Sequence, residues 1–135
     1  MPHVSRVKLS KATEQQLIDH LNVVLTSLDK NPDMVMFLNV LLTPTEKIML
    51  AKRLAVIVLL EEGLSDSEIA QILHVTRITV AKMQLLYEAR GEGFKIALKK
   101  LEEQKRLEEF KKVLISLARY SVRAAGGYVK ADPFS

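Results

Sequence analysis

The sequence predicts an all-α fold, and three observations carry that reading. Leu, Ala, Lys, Glu and Val dominate, only 5% of residues are aromatic and Trp is absent, the usage of a helical protein. Apolar residues recur at three- and four-residue steps through most of the chain. A Ser or Thr followed three residues later by Glu stands before two of these runs, "TPTE" and "SDSE", the sequence form of a helix capping box. At 135 residues the chain is long enough for one modest core rather than two independent ones.

The first helix is expected from about Lys11 to Leu28, with Ser10 as its cap and Leu17, Ile18, Leu21, Val24, Leu25 and Leu28 on one stripe. "KNPD" ends it. Asn31 as cap and Pro32 at the first helical position start a short second helix carrying Met34, Val35, Phe37, Leu38, Leu41 and Leu42. In "TPTE" the Thr43 hydroxyl can bond the Glu46 backbone N–H while the Glu46 carboxylate reaches back, so helix three starts there. It runs to about Glu62, where Gly63 can take the left-handed stop. Between Ile48 and Leu60 its apolar residues cover nearly the whole circumference, and such a helix must be buried on several sides. A second copy of the chain is one source of that cover.

"SDSE" at 65–68 opens helix four, whose inner face is Ile69, Ala70, Ile72 and Leu73. His74 and Val75 make a turn, and Thr76 caps helix five, over about 76–88, with Val80 and Met83 inward. "GEG" at 91–93 separates it from a C-terminal part that is helical from Phe94 to Ala125, in one piece or two. Leu107, Phe110, Leu114, Leu117, Ser121 and Ala124 keep helical spacing there, and the polar "EEQKR" at 102–106 predicts a bend or break before them. The tail "GGYVKADPFS" reads as loosely ordered. The domain expected is thus 1–106, followed by a basic amphipathic extension and tail at 107–135.

The stretch "SDSEIAQILHVTRITVAKM" at 65–83 carries the chemistry. A helix-turn-helix needs a small residue in its first helix, a turn residue tolerant of a left-handed backbone, and apolar locking residues at fixed offsets. Ala70, His74, and the set Ile69, Leu73, Val75, Val80 and Met83 supply these; His enters the left-handed region more readily than most residues. The second helix then turns Thr76, Arg77, Ile78, Thr79, Ala81 and Lys82 outward. Arg77 can pair with guanine in a bidentate way, Ile78 and Thr79 can touch a thymine methyl or a base edge, and Ser67 can bond a phosphate. A helical hairpin in a plain bundle would carry long charged residues on that face. "TRIT" is short, β-branched and a poor helix former, which a partner surface explains better.

"LLTPTE", "KRLAVIVLLEEGLS", "SEIAQIL" and "TRITVAK" together resemble the Trp repressor family. Their first half also resembles the LuxR-type DNA-binding domain, but the 21-residue step from Leu42 to Gly63 suits the longer Trp repressor helix. The similarity extends from about Glu14 to Leu101 and is strongest from Phe37 to Lys82. It implies a homodimer whose N-terminal helices interlock, two projecting helix-turn-helix units, and a roughly palindromic double-stranded DNA site with half-sites about one turn apart. Repression would follow from occupying a promoter.

The resemblance also implies a ligand pocket at Thr43, Arg53, Lys82 and Met83. Thr43 and Arg53 match the threonine and first arginine that hold tryptophan in that family; the second arginine is Lys82 here, and the glycine under the indole is Met83. A Met side chain would fill the indole's space, so a tryptophan corepressor is not expected, and no other cofactor is implied. Where the family carries Gln, Arg and Lys on the first motif helix, this chain has Asp66, Ser67 and Ala70, which makes phosphate contacts there poorer.

Other classes find less support. Cysteine is absent, and His3, His20 and His74 lack metal-ligand spacing. Glu61/Glu62, Glu102/Glu103 and Glu108/Glu109 point in different directions on solvated faces, and "GEGFK" lacks the phosphate-loop spacing. No enzyme is expected. The longest apolar run, "LAVIVLL" at 54–60, is far short of the ~20 residues of a membrane helix, and "MPHVSRVKLS" lacks the apolar core of a secretory signal. A cytoplasmic protein without membrane contact is expected. Residues 1–94 are close to neutral, with 10 basic and 11 acidic side chains, whereas 95–135 carry 10 basic and 5 acidic. That surplus suits either DNA phosphates or a solvated helix. The rival reading is a helical adaptor or antitoxin-like partner that keeps the helix-turn-helix scaffold and docks proteins with its C-terminal helix.

Overall fold

The computed structural model describes residues 7–124, with side chains as far as Arg119. Among them are seven α-helices and no strand, as the composition predicts. The chain divides into two compact units, one up to Lys47 and one from Ile48 onward.

The first unit holds α1 (Lys11–Ser27), α2 (Asn31–Leu41) and the first turn of α3 (Pro44–Glu61). The Ser10 hydroxyl caps α1 by accepting from the Thr13 N–H at 3.2 Å. The expected cap of α2 is displaced by one residue: Asn31 lies inside the helix and Lys30 precedes it without a side-chain cap bond. Pro32 permits this because every N–H of the first turn lacks an intrahelical partner, so the ring fits the second position as well as the first. The Thr43 box is present in both halves, with Glu46 N–H to Thr43 Oγ1 at 3.1 Å and Thr43 N–H to Glu46 Oε1 at 2.9 Å. Those bonds hold the Glu46 carboxyl below its ordinary pKa, the Thr43 N–H bond first and its hydroxyl second. Across α1 and α2 no residue is buried.

In the second unit the rest of α3 behaves differently. Ala55, Val56, Ile57, Val58 and Leu59 are buried consecutively, which on a helix means cover from every side. Gly63, at φ 85°, stops the helix. Its N–H reaches the Leu60 carbonyl at 3.0 Å and the Leu64 N–H reaches that of Leu59 at 3.2 Å, the paired bonds of a Schellman stop. Four further helices complete the unit: α4 (Asp66–Leu73), α5 (Arg77–Arg90), α6 (Glu92–Glu103) and α7 (Leu107–Ala124).

α5 outruns its expected end at residue 88, and Arg90 occupies its last turn, where a cation suits the helix dipole. The expected "GEG" spacer shrinks to Gly91 alone, since α6 begins at Glu92. A Cβ on Gly91 would stand 2.3 Å from the Tyr87 carbonyl oxygen, so only glycine passes there. Tyr87 and Phe94, with ring centroids 6.3 Å apart, join the two helices across it.

The break expected in "EEQKR" lies at residues 104–106. Lys105 takes φ 58°, with its N–H on the Glu102 carbonyl and the Arg106 N–H on that of Leu101. α7 enters the core through Leu114 and Ala118 and packs on α4 and α6. The expected stripe differs at one point: Leu117 is exposed and Ala118 buried. A residue one step along a helix is rotated by about 100°, so seating the small Ala118 side chain inward turns its neighbour to solvent. The side chains of Ser121 and Ala124 and the tail beyond residue 124 lie outside the described residues.

Candidate nucleic-acid interface

α4 starts at a complete capping box. Glu68 N–H donates to Ser65 Oγ at 3.2 Å, and Ser65 N–H donates to Glu68 Oε1 at 3.1 Å. It ends at His74, whose φ 55° and ψ 48° are left-handed. The N–H groups of His74 and Val75 both close on the Ala70 carbonyl, and Lys52 Nζ of α3 lies 3.5 Å from the His74 carbonyl oxygen. Thr76 then caps α5 by accepting from the Thr79 N–H at 3.1 Å. The turn is therefore held by its own backbone bonds.

Beneath it, Ile69, Ala70, Ile72, Leu73, Val80 and Met83 are buried, with Val75 packed against them. These are the positions where the sequence sets its locking residues. Every outward-facing candidate, Ser67, Thr76, Arg77, Ile78, Thr79, Ala81 and Lys82, is exposed. Ile78 is 68% exposed, a cost in water that a contact surface would remove. The Thr76 and Thr79 hydroxyls bond each other at 2.9 Å, so both are already part of the cap.

One contact on this face has no sequence signature. Arg77 Nη2 lies 3.5 Å from Asp66 Oδ1, which also accepts from the Ser67 N–H at 2.7 Å. Residues eleven apart are joined here only because the turn folds the start of α4 beside the start of α5. In the sequence alone Asp66 is a charge unfavourable to phosphate, with no basic partner within a helical turn.

The four pocket residues fall into different environments. Thr43 belongs to the first unit and spends its hydroxyl and N–H on the Glu46 box. Arg53 and Lys82 of the second unit are exposed. Met83 is 3% exposed and packed in the core.

A cavity of about 460 Å³ opens elsewhere in the second unit, lined by Val58, Leu98 and Leu107 and by three glutamates and three lysines, Lys111 among them. Its charges balance. Lys111 is paired with Glu62, both side chains being largely covered. That hydrogen bond raises the Lys111 pKa, partial burial opposes it, and the charges of Glu62, Glu108 and Glu102 add to the rise. Among the described residues no group of three His, Cys, Asp or Glu side chains could hold a metal ion, and no helix is long and apolar enough to cross a membrane.

The family model described as Trp repressor protein matches residues 15–117, three-quarters of the chain. It takes in α4, α5 and most of α7. Neither a curated protein nor a solved structure matches.

Proposed function

The chain belongs to the Trp repressor family, a family of DNA-binding transcriptional regulators, and on that premise we propose that it is a homodimeric repressor reading a roughly palindromic double-stranded site. The observation that carries this reading is the outer face of α5. On a turn locked by its own backbone bonds, it presents Arg77, Ile78, Thr79, Ala81 and Lys82 to solvent together. That combination offers a planar donor fork for guanine, apolar contact for thymine methyls, and a cation for phosphate. Ser67 and Thr76 flank it with hydroxyls. The binding domain in this reading takes in α7, whose Leu114 and Ala118 share the core of α4 and α5, and the protein acts in the cytoplasm.

Homodimerisation draws support from the first unit, where Leu17, Ile18, Leu21 and Val24 of α1 and Val35, Met36, Val40 and Leu41 of α2 are exposed in the single chain. So large a set of uncovered apolar side chains on two regular helices is the form an interface takes before its partner is added. The two motif units would then be spaced by the two-fold axis, about one DNA turn apart.

Tryptophan is not its corepressor in this reading. Met83 fills the space under the motif from within, Lys82 replaces a planar fork by a point charge, and the Thr43 hydroxyl is engaged as a cap. Calorimetry detecting tight tryptophan binding would overturn that part. The adaptor reading depends on a free apolar face on α7, and Leu114 and Ala118 of that face are used in the chain's own core.

The test is a selection of genomic fragments by purified protein at physiological salt, run beside Arg77→Ala. A palindromic sequence enriched by the wild type should lose about 1–3 kcal/mol of affinity in the variant. An adaptor would recover the same unsorted DNA with both proteins.

A further inference from the structure

Asp66 and Arg77 raise a question that the DNA-reading proposal leaves open. The side chain proposed to read guanine is not free in the unbound chain: its Nη2 faces a carboxylate at 3.5 Å. Arg77 is 67% exposed and Asp66 36%, so the pair is solvated and worth no more than a few-fold in an equilibrium. Its strength is too small to hold the motif together. Its position is what has consequences.

The carboxylate is fixed from the other side, since Asp66 Oδ1 also accepts the Ser67 N–H. It therefore stands at the first turn of α4, beside Ser67 and under the Arg77 guanidinium, where the DNA backbone would approach the motif. Two ligands compete for Arg77 in that setting. A phosphate sees mainly net charge, and Asp66 cancels most of the Arg77 charge while repelling the phosphate itself. A guanine edge sees geometry, because its two acceptors demand a correctly turned fork. A guanidinium has five N–H donors, so one held on Asp66 leaves others to meet the base.

We propose that Asp66 is a positioning residue that holds Arg77 for base reading and screens it from phosphates, so that the chain gives up non-specific affinity and gains sequence discrimination. The inference rests on the DNA-reading proposal and deepens it. Asp66 itself needs no contact with a base.

The experiment measures affinity for the selected duplex and for a scrambled duplex of the same composition, over a range of salt, for wild type, Asp66→Asn, Arg77→Ala and the double variant. Asp66→Asn should bind the scrambled duplex several-fold more tightly. Its salt dependence there should steepen by about one unit of slope, as one more phosphate is neutralised. Its ratio of specific to scrambled affinity should fall at least threefold. In the Arg77→Ala background the same substitution should leave the ratio unchanged, and melting temperatures should match throughout, which a merely structural role would not produce.

Equal tightening on both duplexes with a constant ratio would overturn the inference, reducing Asp66 to a repelling charge. A ratio that falls equally with and without Arg77 would overturn it too. Should the wild type itself show no preference between the duplexes, the DNA-reading proposal fails, and this one with it.

Discussion

α1 and α4 are both opened by a serine that caps with its hydroxyl, and both carry an apolar stripe, yet their burial is opposite. α4, at 8 residues, buries Ile69, Ala70, Ile72 and Leu73; α1, at 17, buries nothing. The contrast extends to the two units they belong to. The second unit closes around Ile57, Leu59, Ile69 and Val80, all at 0% exposure, while the first leaves Leu17 at 58% and Val40 at 84%. Capping and periodicity therefore specify that a helix forms. Whether its stripe is buried depends on a complementary surface: α4 finds one within its own chain, on α5 and α7, and the stripe of α1 does not.

The largest expected effect lies on the closed side of that comparison. Ile57→Ala removes a side chain with no exposure from the most covered part of α3, and such truncations cost about 2–5 kcal/mol. Urea unfolding monitored by circular dichroism measures it. A cost below about 1 kcal/mol would mean that the second unit is no better packed than the first, and the comparison would break there.

Next comes the open side. If a second copy covers α1, the wild-type unfolding free energy per mole of dimer should rise by about 1.4 kcal/mol, or about 0.7 kcal/mol per mole of monomer, for each tenfold increase in protein concentration. Leu17→Glu with Leu21→Glu should abolish that dependence and give a monomer in sedimentation, with helices α4 and α5 intact. A wild type that sediments as a monomer and melts independently of concentration would mean that α1 remains solvated, and the dimer would be lost with it.

The same contrast explains what could be read from the sequence. Caps at Ser10, Thr43, Ser65 and Thr76, the glycine stop at Gly63 and the left-handed turn at His74 are fixed by residues within five positions of one another, and each stands where the sequence puts it. The inner face of the motif was legible for the same reason, because one turn dictates its register. Asn31 against Lys30 as the start of α2 was not, since a proline tolerates either frame. Ala118 in place of Leu117, and the packing of α7 on α4, depend on the rotation of one helix against another more than thirty residues away. Local spacing carries no information about that rotation. The Asp66–Arg77 and Glu62–Lys111 pairs escape for a similar reason: each exists only after the helices bearing it have been set side by side.

The smallest expected effect is electrostatic, and it separates the units by pH. In the second unit Lys111 sits on Glu62 with its pKa raised, the hydrogen bond to that carboxylate being the main cause. A lysine raised on folding contributes stability that is complete below its unfolded value and is lost as pH climbs through the folded one. In the first unit Glu46 is lowered by its bonds to Thr43, so its contribution is complete above the unfolded value and is lost as pH falls through the folded one. Lys111→Met should therefore cost about 0.5–1 kcal/mol near neutrality, and the gap to wild type should narrow as pH climbs through the folded lysine value. Glu46→Gln should leave alkaline stability alone and remove part of the acid dependence instead. Matched unfolding curves from pH 3 to 11 would show whether the two variants diverge at opposite ends, as two units held by different groups require. A Lys111→Met gap that stayed constant as pH climbed through the folded lysine value would separate the lysine's charge from the stability of the second unit.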